Sequence, residues 1–104
     1  MIPMLFRVRK LDARFSGSEF FTHMVEYQKL GLTRVTRTAL FLEHREWCWD
    51  TFGPSCELDL IPETVSNQEF GVPAWAWQTE HGLFRLYFNE KQLAWFQLKW
   101  IEDR

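Results

Sequence analysis

Residues 74–88 read Ala74-Trp75-Ala76-Trp77-Gln78-Thr79-Glu80, then His81-Gly82, then Leu83-Phe84-Arg85-Leu86-Tyr87-Phe88. Two alternating, aromatic-rich runs flank a glycine-containing pair, the pattern of an antiparallel hairpin closed by a tight turn. Counting outward from that turn places Thr79 opposite Phe84, Gln78 opposite Arg85, Trp77 opposite Leu86, Ala76 opposite Tyr87 and Trp75 opposite Phe88. One face then carries Trp75, Trp77, Phe84, Leu86 and Phe88; the other carries Ala76, Gln78, Arg85 and Tyr87. A slip of one residue would turn the apolar set to the wrong side, so the register is specified.

Toward the N-terminus, residues 4–11 alternate as a second strand, with Met4, Phe6 and Val8 on one side and Arg7 and Arg9 on the other. Ser16 followed by Glu19 forms a capping box, and Phe15 with Phe20 a hydrophobic staple. Phe20, Phe21, Met24 and Val25 follow at spacings of three to four, and Gly31 offers a stop, so the pattern predicts an amphipathic helix over 17–30.

The stretch 36–53 supports two readings. Thr38–Leu42 is apolar and partly extended, while 43–52 has helical spacing and ends at Gly53-Pro54; the alternative is one long strand. The two differ at the tryptophans: in a helix Trp47 and Trp49 stand about 200° apart, in a strand they share a face. Cys56 to Ile61 alternates like a strand exposing Glu57 and Asp59, and the polar run from Pro62 to Pro73 is the longest loop. Asn89 and Gln92 suggest a cap for a short helix through Phe96, after which Phe96, Leu98 and Trp100 alternate as a last strand. No internal repeat is visible beyond the two W-x-W pairs.

These elements add up to a single α+β domain over 1–104. The expectation is one antiparallel sheet of about five strands (4–11, 55–61, 74–80, 83–88, 96–101), with helices 17–30 and 43–52 on one face. The alternative arrangement is a ferredoxin-like fold or dimeric α/β barrel.

The 104 residues include six Trp, ten Phe and two Tyr, enough bulky material for a well-filled core. Twelve Lys and Arg against fourteen Asp and Glu give a net charge of −2, which argues against bulk electrostatic binding to duplex nucleic acid. Basic residues do outnumber acids before residue 40, so a local basic patch is available if they share a face. Cys48 and Cys56 are too few for a disulfide framework, and no apolar run suits a signal peptide or membrane span. A cytoplasmic protein without membrane contact is expected.

Candidate chemistry is sparse. His44 and Cys48 stand four apart and would meet on one helical face as a thiolate–imidazole pair or half a zinc site. The bland state, a buried Cys48 beside an exposed His44, is the expectation. Glu57 and Asp59 would share a strand face as an acid–base couple or a solvated edge. No nucleophile elbow, phosphate-cradling glycine loop, deaminase motif or dinucleotide fingerprint is present. No cofactor and no metal are expected.

The residues best placed to meet a partner are Gln78, Arg85 and Tyr87, on the hairpin face away from Trp75 and Trp77, and Arg7 and Arg9, on the charged side of the first strand. In its tryptophan-rich texture the chain resembles short accessory reading frames of tailed bacteriophages. The leading expectation is a non-enzymatic protein-interaction module that self-associates, as a homodimer through an apolar sheet face or edge, or that binds another protein. The alternatives are a single-stranded nucleic-acid binder using Arg7, Arg9, Arg85 and Tyr87, and a small enzyme built on His44 and Cys48.

Overall fold

The computed structural model describes residues 6–14, 17–27, 34–61, 73–79 and 84–100. In chain order these form β1 (Phe6–Lys10), β2 (His23–Tyr27), α1 (Arg34–Phe52), a 3-10 turn at Leu58–Leu60, β3 (Trp75–Gln78), β4 (Arg85–Phe88) and α2 (Glu90–Trp100). The strands make one antiparallel sheet in the order β1-β2-β4-β3.

The hairpin register is the expected one. Trp75 pairs with Phe88, Ala76 with Tyr87, Trp77 with Leu86 and Gln78 with Arg85. The turn residues His81 and Gly82, like the Ser16 capping position, lie outside the described residues.

Four strands replace the expected five, and three assignments change. Of the helix expected over 17–30, of which 17–27 are described, one turn remains, in which the Phe20 and Phe21 amides donate to the Gly17 carbonyl at 3.0 and 2.8 Å. The chain then runs straight into β2. Met24 and Val25 fit both a helical and a two-residue period, and the sheet decides between them. With β1 on one side and β4 on the other, every β2 residue gains a cross-strand neighbour. Both are buried because the sheet centre is covered on both faces.

The second change joins 34–52 into one helix. Arg37, Phe41, His44 and Cys48 recur at spacings of four, three and four and are all buried, and this inward line outweighs the β-branched residues at its start. Gly53, at φ +98°, closes the helix with its amide donating to the Trp49 carbonyl at 3.0 Å.

The third change removes both remaining strands. The segment expected as strand 55–61 contributes only an isolated parallel bridge from Glu57 to Trp77 before the 3-10 turn. Leu58 and Ile61, three apart, are buried, while Leu60 is exposed. Likewise the described part of the expected strand 96–101 is helical: α2 runs on to Trp100, because Leu93 and Phe96 turn inward with helical spacing and Leu98 turns out.

One core lies between the sheet and the two helices, where Phe6, Val25, Trp75, Leu86 and Phe88 meet Phe41, Cys48, Leu93 and Phe96. A second, smaller core lies on the other face, where Leu11, Phe21, Leu58 and Ile61 pack on Met24, Ala76 and Tyr87. The order β-β-α-β-β-α differs from the β-α-β-β plan of the ferredoxin-like alternative. It also divides the described chain into two ββα halves. Within them Phe6 and Trp75 hold matching places opposite Tyr27 and Phe88, and the halves meet where Val25 pairs with Leu86.

Candidate functional site

Alternation along the strands sends Arg7, Arg9, Gln78, Arg85 and Tyr87 to the sheet face away from the helices, and pairing gathers them into two adjacent rows. The first row runs Arg7, Glu26, Arg85, Gln78 across all four strands; the second runs Arg9, Met24, Tyr87, Ala76. All five expected residues are therefore neighbours. The sixth member, Glu26, was not anticipated, because it fell inside the stretch read as a helix.

Glu26 organises the row. Its Oε1 accepts from Arg7 at 3.0 Å, and its Oε2 accepts from Arg85 Nε at 2.9 Å. Arg9 Nε stands 4.0 Å from Oε1, too far for a hydrogen bond. Burial would raise the Glu26 pKa, but the hydrogen bonds from Arg7 and Arg85 overcome it and hold the carboxyl below its ordinary value. Gln78 Oε1 accepts from the Tyr87 hydroxyl at 2.7 Å. Tyr87 is only 1% exposed, so its ring presents no stacking surface to a base. The row is chiefly an internally paired lattice with Arg7 at its exposed margin.

The titratable pair of α1 differs from expectation: His44 is buried, at 1% exposure, rather than exposed. It sits inside because it shares one helical face with Phe41 and Cys48, both buried against the sheet. Its Nδ1 is hydrogen bonded to the Tyr27 hydroxyl at 2.5 Å, and its ring lies 4.1 Å from that of Trp100, centroid to centroid. Burial lowers the His44 pKa to about 4 and pushes the Cys48 thiol and the Tyr27 hydroxyl well above their ordinary values. All three stay neutral near pH 7, so neither a thiolate nor an imidazolium is supplied. Glu57, the other expected acid, accepts from Thr79 Oγ1 at 2.9 Å, while Asp59 lies exposed in the 3-10 turn. Among the described residues no group of three or more His, Cys, Asp or Glu could hold a metal ion.

What the sequence reading missed is on the outside of the helices. Trp47 turns in, where its ring meets Phe52, Phe96 and Trp100, and Trp49 turns out, as the helical reading of 43–52 requires. Val35, Leu42 and Trp49 are 80%, 42% and 46% exposed and lie seven residues apart along α1. On α2, Trp95 and Leu98 are also exposed. A shallow groove of about 310 Å³ is lined by Leu42, Arg45, Glu46 and Trp49; another of about 340 Å³ lies between Thr51, Phe52, Lys91 and Trp95. The available signal was the heptad spacing of 35, 42 and 49, hidden by reading 38–42 as extended.

Among the described residues no helix is long and apolar enough to cross a membrane. No protein-family model, curated protein or solved structure matches the chain.

Proposed function

We propose that this chain is a non-enzymatic interaction module whose contact surface is the outward side of its helical layer. The observation that carries the reading is the line Val35, Leu42, Trp49, three large apolar side chains left in water on a 19-residue helix whose other side is fully packed. Tryptophan is enriched among residues that dominate binding energy at interfaces, and the three exposed side chains fall on one line of the helix, with Arg45 and Glu46 beside the groove between Leu42 and Trp49. The apolar sheet face lies under α1 and α2, so it is the outside of the helices that presents large apolar side chains to water.

The buried state of Tyr27, His44 and Cys48 supports the non-enzymatic part of the reading, since neutral groups out of contact with solvent meet no substrate. Cys48 and Cys56 are not joined in a disulfide, which suits a reducing compartment.

A photoreactive amino acid at position 42, compared with one at the exposed Glu90, tests the reading in purified protein and in cells expressing the chain. Covalent adducts formed from position 42 and not from position 90 are expected. Equal labelling from both positions, or none from either, would overturn it.

A further inference from the structure

The outward line of α1 repeats at seven residues. Seven residues fall about 20° short of two helical turns, so such a line keeps contact best with a second helix crossing at about 20° in a left-handed sense. The polar residues beside the line narrow the choice. Residues 34–42 contain no acid, whereas Glu43, Glu46 and Asp50 are all exposed in the second half of the helix. Those carboxylates lie toward the negative end of the helix dipole, and the last turn offers no basic residue to offset them.

We propose that the occupant of this surface is α1 of a second copy of the chain, packed antiparallel about a two-fold axis at Leu42. The proposal rests on the reading of the outer helical surface as the contact surface. Around such an axis, positions equally far before and after residue 42 meet. Trp49 comes against Val35 of the partner subunit. The groove between Leu42 and Trp49 faces Ala39 of the partner subunit, whose small side chain lets the two backbones approach. Asp50 reaches the N-terminal turn of the partner helix, which holds no acid and carries the positive end of the dipole. A parallel pair would instead align the two dipoles and leave Asp50 level with the acidic, negative end of the partner helix. Charge and shape together therefore select the antiparallel second copy.

The contact is modest. A 19-residue helix is about 28 Å long, and one helix pair of this length buries less than about 1,200 Å², the range of weak and transient interfaces. Association is therefore expected to be weak and reversible.

Cysteine cross-linking of exposed positions decides the geometry, with wild type oxidised in parallel as the control for Cys48 and Cys56. Leu42→Cys is expected to give a disulfide-linked dimer. Val35→Cys alone should give none above wild type, because the two copies of position 35 stand about 21 Å apart along the helices. The double variant Val35→Cys/Trp49→Cys should cross-link. In sedimentation, Leu42→Glu should weaken association at least tenfold while the circular dichroism stays that of wild type. Cross-linking through Val35→Cys alone would mean a parallel pair and overturn the proposal. A wild-type mass that stays monomeric to about 300 µM would overturn it as well. Adducts from position 42 to a different protein would then leave the interaction reading standing without the second copy.

Discussion

Phe41 and Leu42 are neighbours in the chain with opposite fates, and the same holds for Cys48 and Trp49. The first of each pair belongs to the inward line of α1, fully buried against the sheet; the second belongs to the outward line and stands in water. Both lines are apolar. What separates them is the presence of a sheet on one side, so hydrophobicity alone does not sort the residues of this helix into core and surface. The inner line explains the fold, and the outer line is left over as a question about partners.

Mutation of the adjacent pair is the most forceful way to break that contrast. Phe41→Ala removes a ring packed on Tyr27 and Phe84 and is expected to cost about 3–5 kcal/mol in urea unfolding, whereas Leu42→Ala in dilute protein should change stability by less than about 0.5 kcal/mol. Similar losses from both would erase the difference.

Acid offers the next largest effect. His44 titrates near 4 in the folded chain against an ordinary 6.5, so the unfolded chain takes up the proton first as the pH drops. The stability held above pH 6.5 should therefore decline by about 3 kcal/mol on the way to pH 4, after which His44 adds no further loss. His44→Gln should flatten this window, and Glu43→Gln, changing its exposed neighbour, should not. A wild-type profile already flat between pH 6.5 and 4 would mean that His44 is solvated.

Across the sheet, the polar row gives an intermediate effect. Glu26→Gln leaves Arg85, itself partly buried, without its counter-charge and is expected to cost about 1–3 kcal/mol. The folded Glu26 pKa is depressed, so this contribution is present above pH 4.5 and fades as the pH falls through the lower folded value.

The smallest effects are spectroscopic and chemical. In native protein iodoacetamide should modify Cys56 and spare Cys48, while acrylamide should quench a fraction of the tryptophan emission that disappears in Trp49→Phe/Trp95→Phe. Rapid labelling of Cys48 would show that the inner line opens to solvent.

The hairpin was legible because strict alternation about His81-Gly82 allows only one register that keeps the apolar set together. The same rule, applied to β1, separated Arg7 and Arg9 from Phe6 and Val8, but β2, which stands between β1 and β4, is what sets them on the face shared with Gln78, Arg85 and Tyr87. The centre of the polar row could not be read by counting. Glu26 belongs to β2, whose role depends on two strands that flank it, one of them contributed by residues 59 positions away in the case of Arg85. A five-residue run in which both faces are covered shows no polar side, and its apolar residues fit a helix equally well. The outer line of α1 escaped for the opposite reason: Val35, Thr36 and Thr38 have strand-forming side chains, and only the inward residues beyond them reveal the helix. At the C-terminus, alternation at Phe96, Leu98 and Trp100 coincided with four-residue spacing from Phe96 to Trp100, and the core chose the latter.

The division into two ββα halves bears on how the molecule comes together. Each half pairs its own strands over short stretches of chain, but a two-stranded ribbon with one helix is marginal alone, and each leaves the inner edge of its ribbon without a neighbour until β2 meets β4. That seam joins residues about sixty positions apart, so its loop-closure entropy is expected to fall late in folding. The seam is also a place where fragments would recognise each other: a chain severed between its halves presents two complementary edges, Val25 on one and Leu86 on the other, and should regain the native sheet when the pieces are mixed.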